Sequence, residues 1–159
     1  MRIHDILSAS AVTISLRARD KRAALEELVD LLSADAAIAP RRQEILDALD
    51  ARERLMTTAI GRGVAVPHAE LATPVRAVAA AGISHEGIDF GAPDGKPVHI
   101  LCMMVVSRAE SHERITALSA LSRMMRKESV RAEIRGAKTP DDVVAIVRRE
   151  ADAGEGATG

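Results

Sequence analysis

The chain has 159 residues, enough for one domain with a proper core. With 47% hydrophobic and 28% charged residues, its composition is that of an ordinary soluble globular domain. A formal charge of −1 and the lack of Trp and Tyr exclude an electrostatic footprint for DNA or anionic membrane, and an aromatic platform for single-stranded bases.

Residues 1–8 read as a short helix or turn, too short and too polar for a secretory signal. Val12-Thr13-Ile14-Ser15-Leu16 alternates as a half-buried strand does. Asp20 is the expected N-cap of a helix whose inner stripe is Leu25, Leu28, Val29 and Leu32. Pro40 suits the first turn of a second helix, with Ile45, Leu46 and Leu49 inward and an end near Arg52 to Arg54. Val75 to Ile83 reads as an alanine-rich strand packed closely on a neighbour. Residues 91–95 form a turn by composition. Val98 to Val106 is apolar almost throughout, which predicts a central strand covered on both faces.

Ser107 with Glu110, or Ser111, is the expected cap of a long helix with Ile115, Leu118, Leu121, Met124 and Met125 inward. A shorter helix follows to Gly136, and Thr139-Pro140-Asp141-Asp142 caps a closing helix lined by Val143, Ile146 and Val147. The domain is expected over 1–150, with a small, Gly-rich, disordered tail at 151–159. The pattern favours a single-domain α/β sandwich: a central mixed β-sheet with helices on both sides. No stretch has the apolar length to span a bilayer, so a cytoplasmic protein without direct membrane insertion is expected. The single cysteine, Cys102, lies in the central apolar run and reads as a buried small hydrophobe. His4, His85 and His99 read as non-functional, and His99 needs a hydrogen-bond partner in its strand.

The most informative stretch is Arg52-Glu53-Arg54-Leu55-Met56-Thr57-Thr58-Ala59-Ile60-Gly61-Arg62-Gly63-Val64-Ala65-Val66-Pro67-His68. A charged helix end runs into a turn where Gly61 and Gly63 permit positive φ and an anion-binding nest. Pro67 ends or edges the short strand and aims the imidazole of His68. Thr57 and Thr58 supply hydroxyls and Arg52 a fork of donors. The residues alone read as a histidine that receives a phosphoryl group. A histidine after a proline, without these neighbours, would read as an exposed loop residue.

This stretch resembles the active-site segment of the fructose/mannitol-type EIIA domains of the bacterial sugar phosphotransferase system, including the nitrogen-regulatory EIIA proteins. Arg52, Glu53, Leu55, Thr57, Thr58, Ile60, Gly61, Gly63, Ala65, Pro67 and His68 match its pattern. Ala59 and Ala69 replace its glycines, each adding a Cβ near the expected phosphate path. The resemblance implies an α/β sandwich and a phosphotransferase component with His68 as phosphoryl acceptor and Thr57 and Arg52 at the site. It implies a second histidine at His112, read as an orienting donor, while Thr58, Gly61 and Gly63 are expected to bind phosphate.

The expected donor is phospho-HPr and the acceptor an EIIB; no cofactor is needed, because the donor is a phosphohistidine. The alternative is a regulatory binding module of the nitrogen-EIIA type, whose target proteins respond to His68 phosphorylation. A metal site from His68, His112 and carboxylates is disfavoured, since no HxxxH or HExxH spacing is present.

Overall fold

The computed structural model describes residues 1–156. A six-stranded mixed sheet runs β1 (Leu7–Thr13), β5 (Val78–Ile88), β6 (Val98–Ser107), β3 (Val64–Ala65) and β2 (Ala59–Gly61), with β4 (His68–Leu71) also paired to β6. Pairing is parallel for β1–β5, β3–β6 and β4–β6, and antiparallel for β5–β6 and β2–β3. Helices cover both faces, as the composition of β6 demands. One layer holds α2 (Lys21–Leu32) and α3 (Arg42–Leu55) over Leu101, Met103 and Val105. The other holds α1 (Ile3–Ile6), α4 (Ser111–Met125), α5 (Glu128–Arg135) and α6 (Pro140–Gly156) over Ile100, Cys102, Met104 and Val106. This is the expected sandwich, built on strict side-chain alternation along β6.

The alanines of β5 alternate between these two layers, Ala80 toward the first and Ala79 and Ala81 toward the second. Gly82 goes further: a Cβ there would lie 2.5 Å from Leu16 and 3.1 Å from Leu28, so its absence lets α2 approach the sheet. Asp20 caps α2 through its carboxylate, accepting from Ala23 N–H at 2.8 Å. The start of α6 is a reciprocal box, with Thr139 Oγ1 accepting from Asp142 N–H and Asp142 accepting from Thr139 N–H, each at 3.1 Å.

Several boundaries differ from the sequence expectation. The first strand is Leu7–Thr13, not 12–16, and β5 starts at Val78 and runs to Ile88. Short alternating runs fix a strand's existence better than its register, and Leu16 still donates its N–H to Ile83 O at 2.8 Å beyond the end of β1. Pro40 lies in a 3-10 turn (Ala39–Arg41) that leads into α3. Neither Ser107 nor Ser111 caps α4, because a 3-10 turn (Arg108–Glu110) precedes it. The Ser107 hydroxyl bonds Glu110, and Ser111 Oγ donates to Arg108 O.

Ile115 is 55% exposed; the inner stripe of α4 is Ala117, Leu121, Met124 and Met125. The closing helix continues to Gly156, through the first part of the segment expected to be a disordered tail; residues 157–159 lie outside the described residues.

Between the Ile83–Ile100 and Ile88–Val98 pairs, β5 bulges away from β6. Gly87 sits in this bulge at φ +86, where a Cβ would come 2.8 Å from Pro97 Cβ and 3.0 Å from His99. Gly87→Ala therefore adds both backbone strain and overpacking, and should lower stability by about 1–3 kcal/mol in urea unfolding. An unchanged midpoint would contradict this account of the bulge.

Candidate active site

At Val66 and Pro67, between β3 and β4, the backbone polar groups are accounted for. Val66 N–H donates to Thr58 O at 3.0 Å, and Pro67 O accepts from Met104 N–H at 3.0 Å. Pro67 has no N–H to satisfy. That leaves the Val66 carbonyl, which lies 3.0 Å from Nδ1 of His68. A carbonyl only accepts, so Nδ1 carries the proton and Nε2 keeps its lone pair. Arg52, near the C-terminal end of α3, donates from Nε to His68 Nε2 at 3.2 Å, while its Nη1 holds Met56 O at 2.7 Å. The residue is 7% exposed, not the open loop histidine that a proline-histidine pair suggests by itself.

His68 opens β4, which pairs with β6 alone and therefore has one free edge. Alternation sends Ala69 and Leu71 into the layer under α2 and α3, and His68 and Glu70 to the opposite face. There Arg114 of α4 binds Glu70 at 2.6 Å, and its charge acts on His68. Arg114 Nε is buried without a hydrogen-bond partner. That donor, on a cation near the histidine, is suited to an anion. Burial pushes the His68 imidazole below its ordinary 6.5. Arg52 and Arg114 lower it further, against the opposing pull of the Val66 carbonyl and Glu70. The ring is thus neutral at pH 7, as a nucleophile must be.

The structure brings His68 and Arg52 together, and the other expected site residues have different surroundings. Thr57 Oγ1 donates to Phe90 O at 2.6 Å and accepts from Ala59 N–H. Thr58 is buried and bonds the Glu53 carboxylate through both its N–H and its hydroxyl; Lys21 completes that carboxylate at 2.9 Å. Thr58 therefore braces the turn against the end of α3, and Thr57 braces it against the segment after β5.

Gly61 and Gly63 do have φ +85 and +76, with Arg62 between them at +56. The anion facing this turn is the chain's own Asp94, which accepts from Arg62 N–H at 2.9 Å and is held below the usual carboxylate range by that bond. The turn lies level with His99 on β6, five residues before the partner of His68, Met104, and so about 16 Å along the strand from the level of His68. The glycines shape a hairpin turn away from His68.

His112 is exposed on the first turn of α4, and its ring makes no hydrogen bond among the described residues. It precedes Arg114 by two positions, about 200° around the helix, so the two cannot face the same way. It shares its face with Ile115, which is exposed and so does not belong to the expected inner stripe.

Ala59 and Ala69 bury their methyls in the α2/α3 layer, away from the face of His68. Arg114 and Glu70 are the site residues that sequence reading missed. Their signal was spacing: Glu70 two residues after His68 on a strand, and a cation in the first turns of the helix after β6.

Elsewhere, His99 finds its partner, donating from Nδ1 to Ser84 O at 2.8 Å. Cys102 is buried, and its thiol is pushed up to about 12. Among the described residues no His, Cys, Asp or Glu cluster suited to a metal is formed, and no helix is long and apolar enough to cross a membrane.

Residues 5–150 match the family model described as the phosphoenolpyruvate-dependent sugar phosphotransferase system, EIIA 2. The chain belongs to this family. It is 40% identical to the fructose-specific EIIA component of Haloferax volcanii, over 80% of this chain and 84% of that protein. It is 28% identical to the fructose-specific EIIABC component of Bacillus subtilis over 94% of its length, but spans 23% of that longer protein. Among solved structures, the nitrogen regulatory protein IIA-Ntr of Neisseria meningitidis superposes with a TM-score of 0.85 at 30% identity, covering 91% of this chain and 98% of that one.

These surroundings fix how the site responds to pH. Because the fold holds the His68 ring below its unfolded value near 6.5, it favours the folded state above that pH. This contribution is lost as pH falls through the lowered folded value. An NMR titration of His68 should give a midpoint below 6.5, moving upward in Arg52→Gln. A midpoint at or above 6.5 in the parent chain would overturn the electrostatic picture.

Proposed function

We propose that His68 is the phosphoryl acceptor of this EIIA domain and that it reacts through Nε2. The observation that carries this reading is the Nδ1–H bond to the Val66 carbonyl, which leaves the Nε2 lone pair toward Arg52. The donor is a phosphohistidine of a phospho-HPr-type protein. Nε2 attacks the phosphorus in line, the donor's P–N bond breaks, and its electron pair returns to the donor imidazole. Arg52 gives up Nε2 and donates to the phosphoryl oxygens. Arg114 supplies the second clamp through its unfilled Nε. We assign the orienting role to these two arginines, and His112 is left to the rim that a partner would meet. Exposed Leu55 and Met56, beside Arg52, offer that partner an apolar contact.

From His68 the group passes to an EIIB-type acceptor, or its presence is read by regulatory target proteins. The fructose-specific names of two relatives favour the first use, and the IIA-Ntr name of the superposing structure favours the second. In either case Thr57 and Thr58 support the site by holding its turn.

Incubation with phosphorylated HPr should label the parent chain at His68 and leave His68→Ala unlabelled. Arg52→Gln and Arg114→Gln should each slow labelling about tenfold to a hundredfold with the fold intact. Labelling that survives in His68→Ala removes the assignment. Pull-downs with His68→Ala and His68→Asp separate the two uses: different partner sets mark a regulatory switch, and identical sets argue against one.

A further inference from the structure

At the end of the sheet away from His68 lies an open cleft of about 430 Å³, within the range of small-molecule sites. Arg62, Lys96, Arg131 and Arg135 line it, together with His99 and the single carboxylate of Glu128. The nearby Asp94 carboxylate accepts from the N–H groups of Arg62 and Lys96. Four fixed cations thus face two carboxylates, on a chain whose formal charge is −1.

Half of the Lys and Arg side chains form an ion pair; those of Arg62, Lys96 and Arg135 form no ion pair or hydrogen bond among the described residues, though the Lys96 charge acts on Asp94. Arg131 is different in kind. Its Nη1 is fixed by Met125 O at 2.7 Å and Arg126 O at 2.9 Å, so the guanidinium is already oriented and keeps further donors.

The local backbone favours the same use. Arg62 and Gly63 form the two-residue turn between β2 and β3, both at positive φ, a place where Asn or Gly is the unstrained choice. A long cation is held there instead, over the cleft. The His99 ring stands between two glycines: a Cβ on Gly63 would lie 3.6 Å from it, and one on Gly87 3.0 Å. A side chain at Gly87 would crowd the ring that lines the cleft wall, whereas one at Gly63 would meet it at ordinary contact distance.

We propose that this cleft is a second anion site, which takes a small soluble phosphorylated metabolite through charge-assisted hydrogen bonds from Arg62, Lys96, Arg131 and Arg135. Guanidinium groups set around a concave wall match a tetrahedral phosphate, where a flat basic face would suit a polyanion. The site is independent of His68.

The test is an NMR titration of the full chain with inorganic pyrophosphate, in a His68→Ala background so that the imidazole site cannot contribute. The expected result is saturable shifts of the His99 ring and of the Gly63 and Arg131 amides, weakening at high salt. Arg62→Asn with Arg135→Gln should lower affinity about tenfold or more. Asn suits the positive φ of residue 62, and residue 135 is exposed, so the variant should fold.

Shifts that do not saturate, or a Kd unchanged in the double variant, overturn the proposal. A parallel co-sedimentation uses phosphatidylglycerol vesicles. Vesicle binding that is lost in the double variant, without a saturable pyrophosphate site, would transfer the cleft to a lipid headgroup and overturn the soluble ligand.

Discussion

The site depends on one hydrogen bond, from the His68 ring to the carbonyl two residues before it. It exists because Pro67 interrupts the edge of the sheet. The strand before the proline is flanked by β2, and the strand after it has β6 alone. At that transition a backbone carbonyl loses its ladder partner, and the imidazole takes the place of a strand. The hydrogen bond fixes the tautomer, the tautomer frees Nε2, and a buried neutral ring follows. An orientation set by main chain is more rigid than one set by another side chain, since the carbonyl cannot rotate without dismantling the pairing of Pro67 with Met104.

Around that ring the charges are arranged for an anion that is still to come. Arg52 and Arg114 both disfavour protonation of His68, while Glu70 anchors Arg114 and partly offsets it. A protonated imidazole could not attack phosphorus, so on the proposed reading the same cations that would hold a phosphoryl group also keep the imidazole unprotonated. The anchoring is asymmetric. Arg52 is tied to a helix end and touches the nucleophilic nitrogen, whereas Arg114 is tied to the strand that carries the histidine. The family to which the chain belongs transfers phosphate between proteins, and a site built from two strands and two helix ends can open toward a partner at its exposed edge.

The layers of the fold were legible in the sequence because β6 is apolar at nearly every position and the helices repeat their apolar residues at helical spacing. His68 and Arg52 were legible because a turn, a proline and a cation stand at fixed distances along one stretch. What failed was direction. Nothing in Gly61-Arg62-Gly63 says that Asp94, some thirty residues on, will fill the turn. The hydroxyls of Thr57 and Thr58 suit phosphate by type, but a carboxylate and a carbonyl within reach claim them first. The inner stripe of α4 begins only at Ala117, later than Ile115 suggested, so the first turn that carries His112 stands clear of the core. Ala59 and Ala69 bring no methyl to the reactive face, because strand alternation points them at the other layer.

Cys102 lies in the layer that also contains Met104, on the strand that pairs with the histidine segment. Its thiol is sealed from solvent and stays protonated across the physiological range. The one thiol of this chain is therefore no acceptor for a phosphoryl group placed on His68 as proposed. On the proposed reading, a group carried on His68 would have to leave for water or for an acceptor outside these 159 residues, and its lifetime would be set by how soon that acceptor arrives.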